Sequence, residues 1–274
     1  MEAASYKQYP VHPALRSWVR YFWSYDVYTP TVHLLHIRSF ADRYPRLIFQ
    51  DINSASLITE ADGNRKPVCY LSGIDTAPTD TYWDSRFSHF GVSFYPHALH
   101  AIFGINAAGL TDQTPDIHLF DKLAFIDLLH ASATHETRVD LLQKYFYEKI
   151  RTVKQDPIIE HMLRNKLTDT LYGEITLATL ADSYHISERQ LQRRFRHSVG
   201  VSASKFSRIA RFERSLKALS VASYGNLTDI AYEMNYTDQA HFIHDFKKFS
   251  GISPYEFVRN KNLGSESASF IYLD

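Results

Sequence analysis

The segment Ser187-Glu188-Arg189-Gln190-Leu191-Gln192-Arg193-Arg194-Phe195-Arg196 decides how the rest of the chain is read. Ser187 suits a helix start, and Gln190, three residues on, stands where a capping-box partner reaches back. Leu191 and Phe195 are four apart and share one helical face. Arg189, Gln192, Arg193 and Arg196 fall on the opposite face. Such a helix fits a DNA major groove, where Arg pairs bidentately with guanine and Gln with adenine. A single basic helix is more often a solvated surface helix than not, so its neighbours matter.

Those neighbours contain an internal repeat. Ala181, Ile186, Leu191, Phe195, Gly200, Ser202 and Phe206 are matched by Ala231, Tyr236, Phe242, Phe246, Gly251, Ser253 and Phe257, with an offset of 50 for the first two pairs and 51 for the rest. Each copy reads as helix, turn, helix: 177–184 then 188–198, and 227–234 then 239–250. Thr176 and Asn226 are expected caps for the leading helices, Ser187 and Asp238 for the trailing ones. Asn235 in the second turn tolerates a left-handed backbone. Two such pairs in tandem with basic trailing helices point to DNA.

Between the copies, 203–219 reads as one helix roughly 25 Å long. That length suits holding the trailing helices about one DNA turn, ~34 Å, apart, so that both enter successive major grooves. Arg208, Arg211 and Arg214 on it read equally as phosphate contacts or as a solvated face. The offset of 51 turns Arg189, Gln192 and Arg193 into Ala240, Ile243 and His244. The second trailing helix thus has little bidentate capacity, although Ala240 or Ile243 can touch a thymine methyl. The base-contact candidates are Arg189, Gln192, Arg193, Gln239, Ala240, Ile243 and His244. The phosphate candidates are Arg196, Arg208, Lys247 and Lys248, which position rather than specify.

Over residues 158–260 the chain resembles the DNA-binding region of the AraC/XylS family of bacterial transcriptional regulators. The resemblance is carried by Tyr236-Thr237-Asp238-Gln239-Ala240-His241-Phe242-Ile243-His244-Asp245-Phe246-Lys247-Lys248-Phe249-Ser250-Gly251-Ile252-Ser253-Pro254-Tyr255-Glu256-Phe257. In the first copy it is carried by Ser187-x-Arg189-x-Leu191-x-Arg193-x-Phe195 and Phe206-Ser207-Arg208-Ile209-Ala210-Arg211-Phe212. Asn235 departs from the family's usual Gly and His244 from its usual Arg. The resemblance implies double-stranded DNA and RNA polymerase as partners. Pro45-Arg46-Leu47-Ile48-Phe49 and Val92-Ser93-Phe94-Tyr95-Pro96 are similar, more loosely, to an uncharacterised domain that often precedes this module.

The 274 residues suit two domains rather than one core. Residues 158–262 hold 15 Lys and Arg against 11 Asp and Glu, and the remainder 15 against 19. That asymmetry fits a nucleic-acid binder joined to an acidic second domain. Cys69 is the single cysteine, which excludes an internal disulfide and multi-cysteine metal sites. With no signal pattern at the start and no apolar run of membrane-spanning length, the chain is expected to be cytoplasmic with no membrane association.

The N-terminal part reads as β-rich. Strands are expected at 21–28, 32–37, 46–51, 55–59, 68–72, 79–83 and 89–94, spaced as in a β-sandwich or barrel. Its many aromatics fit a core or the lining of a small-molecule pocket. His33 and His36, with His89, His97 and His100, invite a metal reading. On a strand, however, residues three apart point to opposite faces, so no metal site or other cofactor is expected. Helices follow at 97–103, 121–131 and 134–154. The stripe Val139, Leu142, Phe146 and Ile150 on the last fits packing on its own domain or against a second copy in a homodimer.

The expected architecture is therefore multi-domain α and β. A β-sandwich or barrel-like effector-sensing or dimerisation domain with flanking helices spans 1–155. An all-α domain of two helix-turn-helix modules joined by a linking helix spans 158–262, and a tail spans 263–274. The expected function is a sequence-specific DNA-binding transcription regulator, activator or repressor, modulated by its N-terminal domain through a small-molecule effector, dimerisation or both. The alternative is an enzyme or ligand-binding N-terminal domain targeted to DNA by the C-terminal one. No catalytic motif supports enzymic activity.

Overall fold

The computed structural model describes residues 5–27, 34–51, 57–83, 86–121, 125–153, 156–164, 177–221, 227–259 and 270–273. Strands β1 (Ser5–Tyr9), β2 (Val19–Val27), β3 (Leu35–Ser39), β4 (Arg46–Gln50), β5 (Thr59–Glu60), β6 (Cys69–Ser72), β7 (Thr79–Trp83) and β8 (Phe87–Phe94) precede the first α-helix. A last strand, β9 (Phe270–Leu273), comes from the far end of the chain. The strands form two antiparallel sheets in the orders β1-β2-β8-β4-β6 and β5-β7-β3-β9. The expected strands are present within a few residues, apart from those parts (28, 32–33 and 55–56) that lie outside the described residues. Strands β1 and β9 were not expected.

Period-two alternation gives the five-stranded sheet two different faces. Tyr21, Trp23, Tyr25, Arg46, Ile48, Tyr70 and Ser72 face a cavity between the sheets. Phe22, Leu47, Phe49, Cys69 and Leu71 face the other way, into a core shared with Leu99, Leu129, Leu142 and Phe146. Those partners come from α1 (Ala98–Phe103), α2 (Phe125–Ala131) and α3 (His135–Ile150). Central β8 is buried along its whole length. Gly91 on it lies under Trp23, where an added Cβ would sit 2.5 Å from the indole. Val139, Leu142 and Phe146 of α3 are buried in this core, so that stripe packs on its own domain. Of the helix expected at 121–131, the described part begins at Phe125, and Leu123 lies outside the described residues.

The C-terminal part consists of α4 (Pro157–Arg164), α5 (Leu177–Ser183), α6 (Glu188–Val199), α7 (Ala203–Val221), α8 (Leu227–Glu233), α9 (Gln239–Ser250) and α10 (Pro254–Arg259). The repeat seen in the residues is a repeat of backbone. The two helix-turn-helix turns place His185 at φ 52° and Asn235 at φ 57°, equivalent positions in the left-handed region. Both residue types tolerate it better than most. The expected caps Thr176 and Asn226 lie outside the described residues.

One core then crosses from domain to domain. Leu191, Phe195, Phe206, Phe212, Phe242, Phe246 and Phe257 pack with Phe40, Ala41 and Ile74 of the β-rich part and with Ile271 of β9. The Phe40 ring lies 6.3 Å from that of Phe212 and 6.1 Å from that of Phe257. The four residues of β9 fall within the segment set apart as a tail. They pair with β3 from Ser39↔Phe270 to His36↔Leu273. Among the described residues, no helix is long and apolar enough to cross a membrane.

Candidate nucleic-acid interface

Helix α6 starts as its first residues dictate. The Ser187 hydroxyl accepts the Gln190 N–H at 3.2 Å, and Gln190 Oε1 accepts the Ser187 N–H at 2.9 Å, a complete capping box. Leu191 and Phe195 are fully buried, which turns Arg189, Gln192, Arg193 and Arg196 out to solvent together. Gln192 Nε2 donates to Glu188 Oε1 at 2.8 Å, a bond that an adenine edge would have to replace. Arg194 points elsewhere, donating to Asp156 at 2.8 and 3.1 Å and tying α6 to the start of α4.

Helix α9 is built alike but armed differently. Asp238 caps it, accepting the His241 N–H at 2.7 Å, and Phe242, Phe246 and Phe249 anchor it. Ala240, His244, Lys247 and Lys248 are exposed and Ile243 is half-buried. Gln239 is engaged internally: its Oε1 accepts from Thr228 Oγ1 at 2.8 Å and its Nε2 donates to the Tyr255 hydroxyl at 3.3 Å.

The linking helix departs from expectation. Arg208 closes on Asp245, with Nε donating at 3.2 Å and Nη2 making a second bond. Arg211 is buried, donates from Nη1 to the Asn235 carbonyl at 3.0 Å, and lies 4.0 Å over the Tyr236 ring. Its Nη2 is 3.5 Å from Asp245. For Arg211, neither a phosphate contact nor a solvated face describes the side chain, and Arg208 turns its guanidinium inward. The pair holds α7 against α9 and its turn. Asp245 thus emerges as a residue that the sequence reading missed, because its counterpart in the first copy is Arg194 and the repeat gave no hint of it. Burial pushes its carboxyl up, yet Arg208, His241 and Arg211 together hold it below the usual carboxylate range.

The β-rich domain grips both trailing helices at their C-terminal ends. Thr111 Oγ1 donates to the Gly200 carbonyl at 3.0 Å just past α6, and the His100 and His197 rings meet at 4.6 Å. The Ala41 N–H donates to the Phe249 carbonyl in α9 at 2.9 Å. Arg43 reaches Glu213 of α7 with its backbone N–H at 2.9 Å and its guanidinium at 2.8 Å. Burial lifts the Glu213 carboxyl to about 7 against the pull of Arg43. Gly200 adopts φ 106°, and a Cβ there would lie 3.0 Å from the Ala107 carbonyl oxygen. Gly200→Ala is therefore expected to cost about 1–3 kcal/mol in denaturant titration, through strain at the grip on α6.

The histidines considered for a metal are spread over different surroundings. His36 stacks on Tyr82 at 4.7 Å. His89 is buried between Trp83 and Phe87, and burial pushes its pKa down to about 3. His97 lies by Trp18, and His33 is outside the described residues. The Cys69 thiol is buried and pushed up, which keeps it a thiol. Between the sheets lies a cavity of about 160 Å³, with Tyr25, Trp83 and Phe270 among its aromatic walls. Aromatic residues thus fill the core and line a pocket. Arg46 lines this cavity and pairs with Asp42, the neighbour of Arg43 on the α7 contact.

Residues 180–260 match a helix-turn-helix domain family, and residues 7–116 match a domain of unknown function, DUF6597. No curated protein matches the chain. Among solved structures, ToxT from Vibrio cholerae is similar over 89% of this chain and 98% of its own, at 10% identity and a TM-score of 0.44. Unsaturated fatty acid bound ToxT from the same organism is similar over 86% and 94%, at 11% identity and a TM-score of 0.43. The C-terminal domain of AraT, a response regulator from Geobacillus stearothermophilus, is similar over 39% and 87%, at 24% identity and a TM-score of 0.34.

Proposed function

We propose that the chain, which carries a helix-turn-helix domain behind a DUF6597 domain, is a DNA-binding transcription regulator of the AraC type that reads DNA and is controlled in the following way. Helices α6 and α9 enter successive major grooves on one side of the duplex. The observation that carries this is the outward face of α6, where Arg189, Gln192, Arg193 and Arg196 stand exposed over a fully buried Leu191–Phe195 seam. Arg189, Gln192 and Arg193 read bases. Ala240, Ile243 and His244 supply weaker contacts, and Arg196, Lys247 and Lys248 hold phosphates. Linking helix α7, 19 residues or about 28 Å long, spaces the two prongs.

Control comes from the β-rich domain, which touches the C-terminal ends of α6 and α9 and the middle of α7. An occupant of its cavity, beside Arg46 and Asp42, would bias those contacts and with them the relative setting of the prongs. Selection of bound duplexes from a random pool tests the DNA reading. Arg193→Ala is expected to cost about 1–3 kcal/mol on the preferred site and to relax preference at its position. His244→Ala is expected to cost much less. Equal losses of specificity would refute the assignment of base reading to α6.

A further inference from the structure

Among the described residues, five ionisable groups other than tyrosines line the cavity between the sheets, two basic (Arg46, Lys66) and three acidic (Glu60, Asp75, Asp112). Four of them are already served. Lys66 donates to Glu60 at 2.7 Å and to Thr114 Oγ1 at 3.0 Å. Arg46 is closed on Asp42, and Asp112 accepts from the Thr76 N–H and, at 2.8 Å, from its hydroxyl. Asp75 exchanges main-chain bonds of 3.0 Å with Asp42, but its carboxylate receives no hydrogen bond from any described residue. Burial lifts that carboxyl to about 7 against the pull of Arg46. Among the described residues, a hydrogen-bond donor to this carboxylate is what is lacking, and an occupant carrying N–H groups would supply one.

The opposite requirement is met by the walls. Tyr25 lies 6.2 Å from Tyr6, 6.3 Å from Trp83 and 6.2 Å from Phe270, and all four rings line the same cavity. Aromatic faces are electronegative and attract cations. A cavity near 150 Å³ takes a benzene ring, and this one, at about 160 Å³, is lined by both the rings and the carboxylate. An anion would instead add negative charge beside a carboxylate that accepts no bond from a described residue, with Arg46 and Lys66 already ion-paired to Asp42 and Glu60.

We propose that this cavity binds a small organic cation, an amine with an apolar body about one ring in size, its ammonium on Asp75 and its body against Tyr25, Trp83 and Phe270. This rests on the reading of the cavity as the effector site. Calorimetric titration of the full-length protein with benzylamine, benzyl alcohol and benzoate tests it. Benzylamine is expected to bind with one-to-one stoichiometry and about tenfold more tightly than either comparator, the worth of a charge-assisted hydrogen bond. Asp75→Asn, which keeps shape and removes no accepted bond, is expected to weaken benzylamine about tenfold and leave benzyl alcohol unchanged. Phe270→Leu is expected to weaken the amine while leaving the carboxylate in place. Tighter binding of benzoate, no binding of the amine, or an amine affinity unchanged by Asp75→Asn overturns the proposal. Benzoate binding alone would still leave a sensing cavity, and the duplex selection with Arg193→Ala does not depend on any of these results.

Discussion

Asp245→Ala is expected to lower stability by about 3–5 kcal/mol, the cost of breaking a buried ion pair by removing one partner. Asp245 and Arg211 have side chains only 1% and 3% exposed, and Arg208 closes on the same carboxylate. Without it, the Arg211 guanidinium stays in its buried place beside Tyr236 with its main compensating charge gone. Urea denaturation of the full-length protein measures the loss. Asp245→Leu combined with Arg211→Met is expected to recover much of it, because removing both partners of a buried pair is often neutral. A double variant as unstable as Asp245→Ala would show that the pair does more than cancel charge. The sign with pH follows from the lowered carboxyl. The contribution is fully present above the unfolded pKa of about 4 and is lost as pH falls through the folded value below it.

Removing the buried side chain of β9 has an effect of similar size. Ile271→Ala is expected to cost about 2–5 kcal/mol, as for other fully buried large-to-small changes. Ile271 is 0% exposed, in the core where Phe40 and Ile74 meet the helix-turn-helix residues. Its neighbours Phe270 and Tyr272 line the cavity and hydrogen-bond the Tyr25 hydroxyl, respectively. Thermal unfolding is expected to fall by about 2–4 °C per kcal/mol lost. Ending the chain at residue 269 is expected to lower it further, since β3 then loses a sheet partner and the cavity a wall. A truncated protein as stable as the full chain would mean that β9 adds nothing to the fold.

Two features of the interface were legible in the residues because they are local. A cap bonds a backbone group three residues away, and Leu191 with Phe195 writes a helical face within one turn. Short runs bounded by turn residues, as at 46–51 and 79–83, likewise name strands. Arg208 reads equally as a phosphate contact or as part of a solvated face. Its partner, Asp245, is 37 residues away, and no periodicity announces it. The aromatic pattern favours a core without deciding against a pocket, since alternation tells that Tyr21, Trp23 and Tyr25 share a face without telling what lies opposite.

Read as a string, the chain suffices for its element types, its doubled helix-turn-helix with one arginine-rich and one arginine-poor trailing helix, and the DNA chemistry this implies. These are short-range consequences of side-chain period and capping. The buried arginines behind Asp245, the clasp of the β-rich domain on both trailing helices and the return of β9 across the fold came from three dimensions. Each joins residues far apart in the chain, such as Tyr25 and Tyr272, separated by 247 positions. A face can be read from its spacing, but what covers it depends on how the whole chain packs.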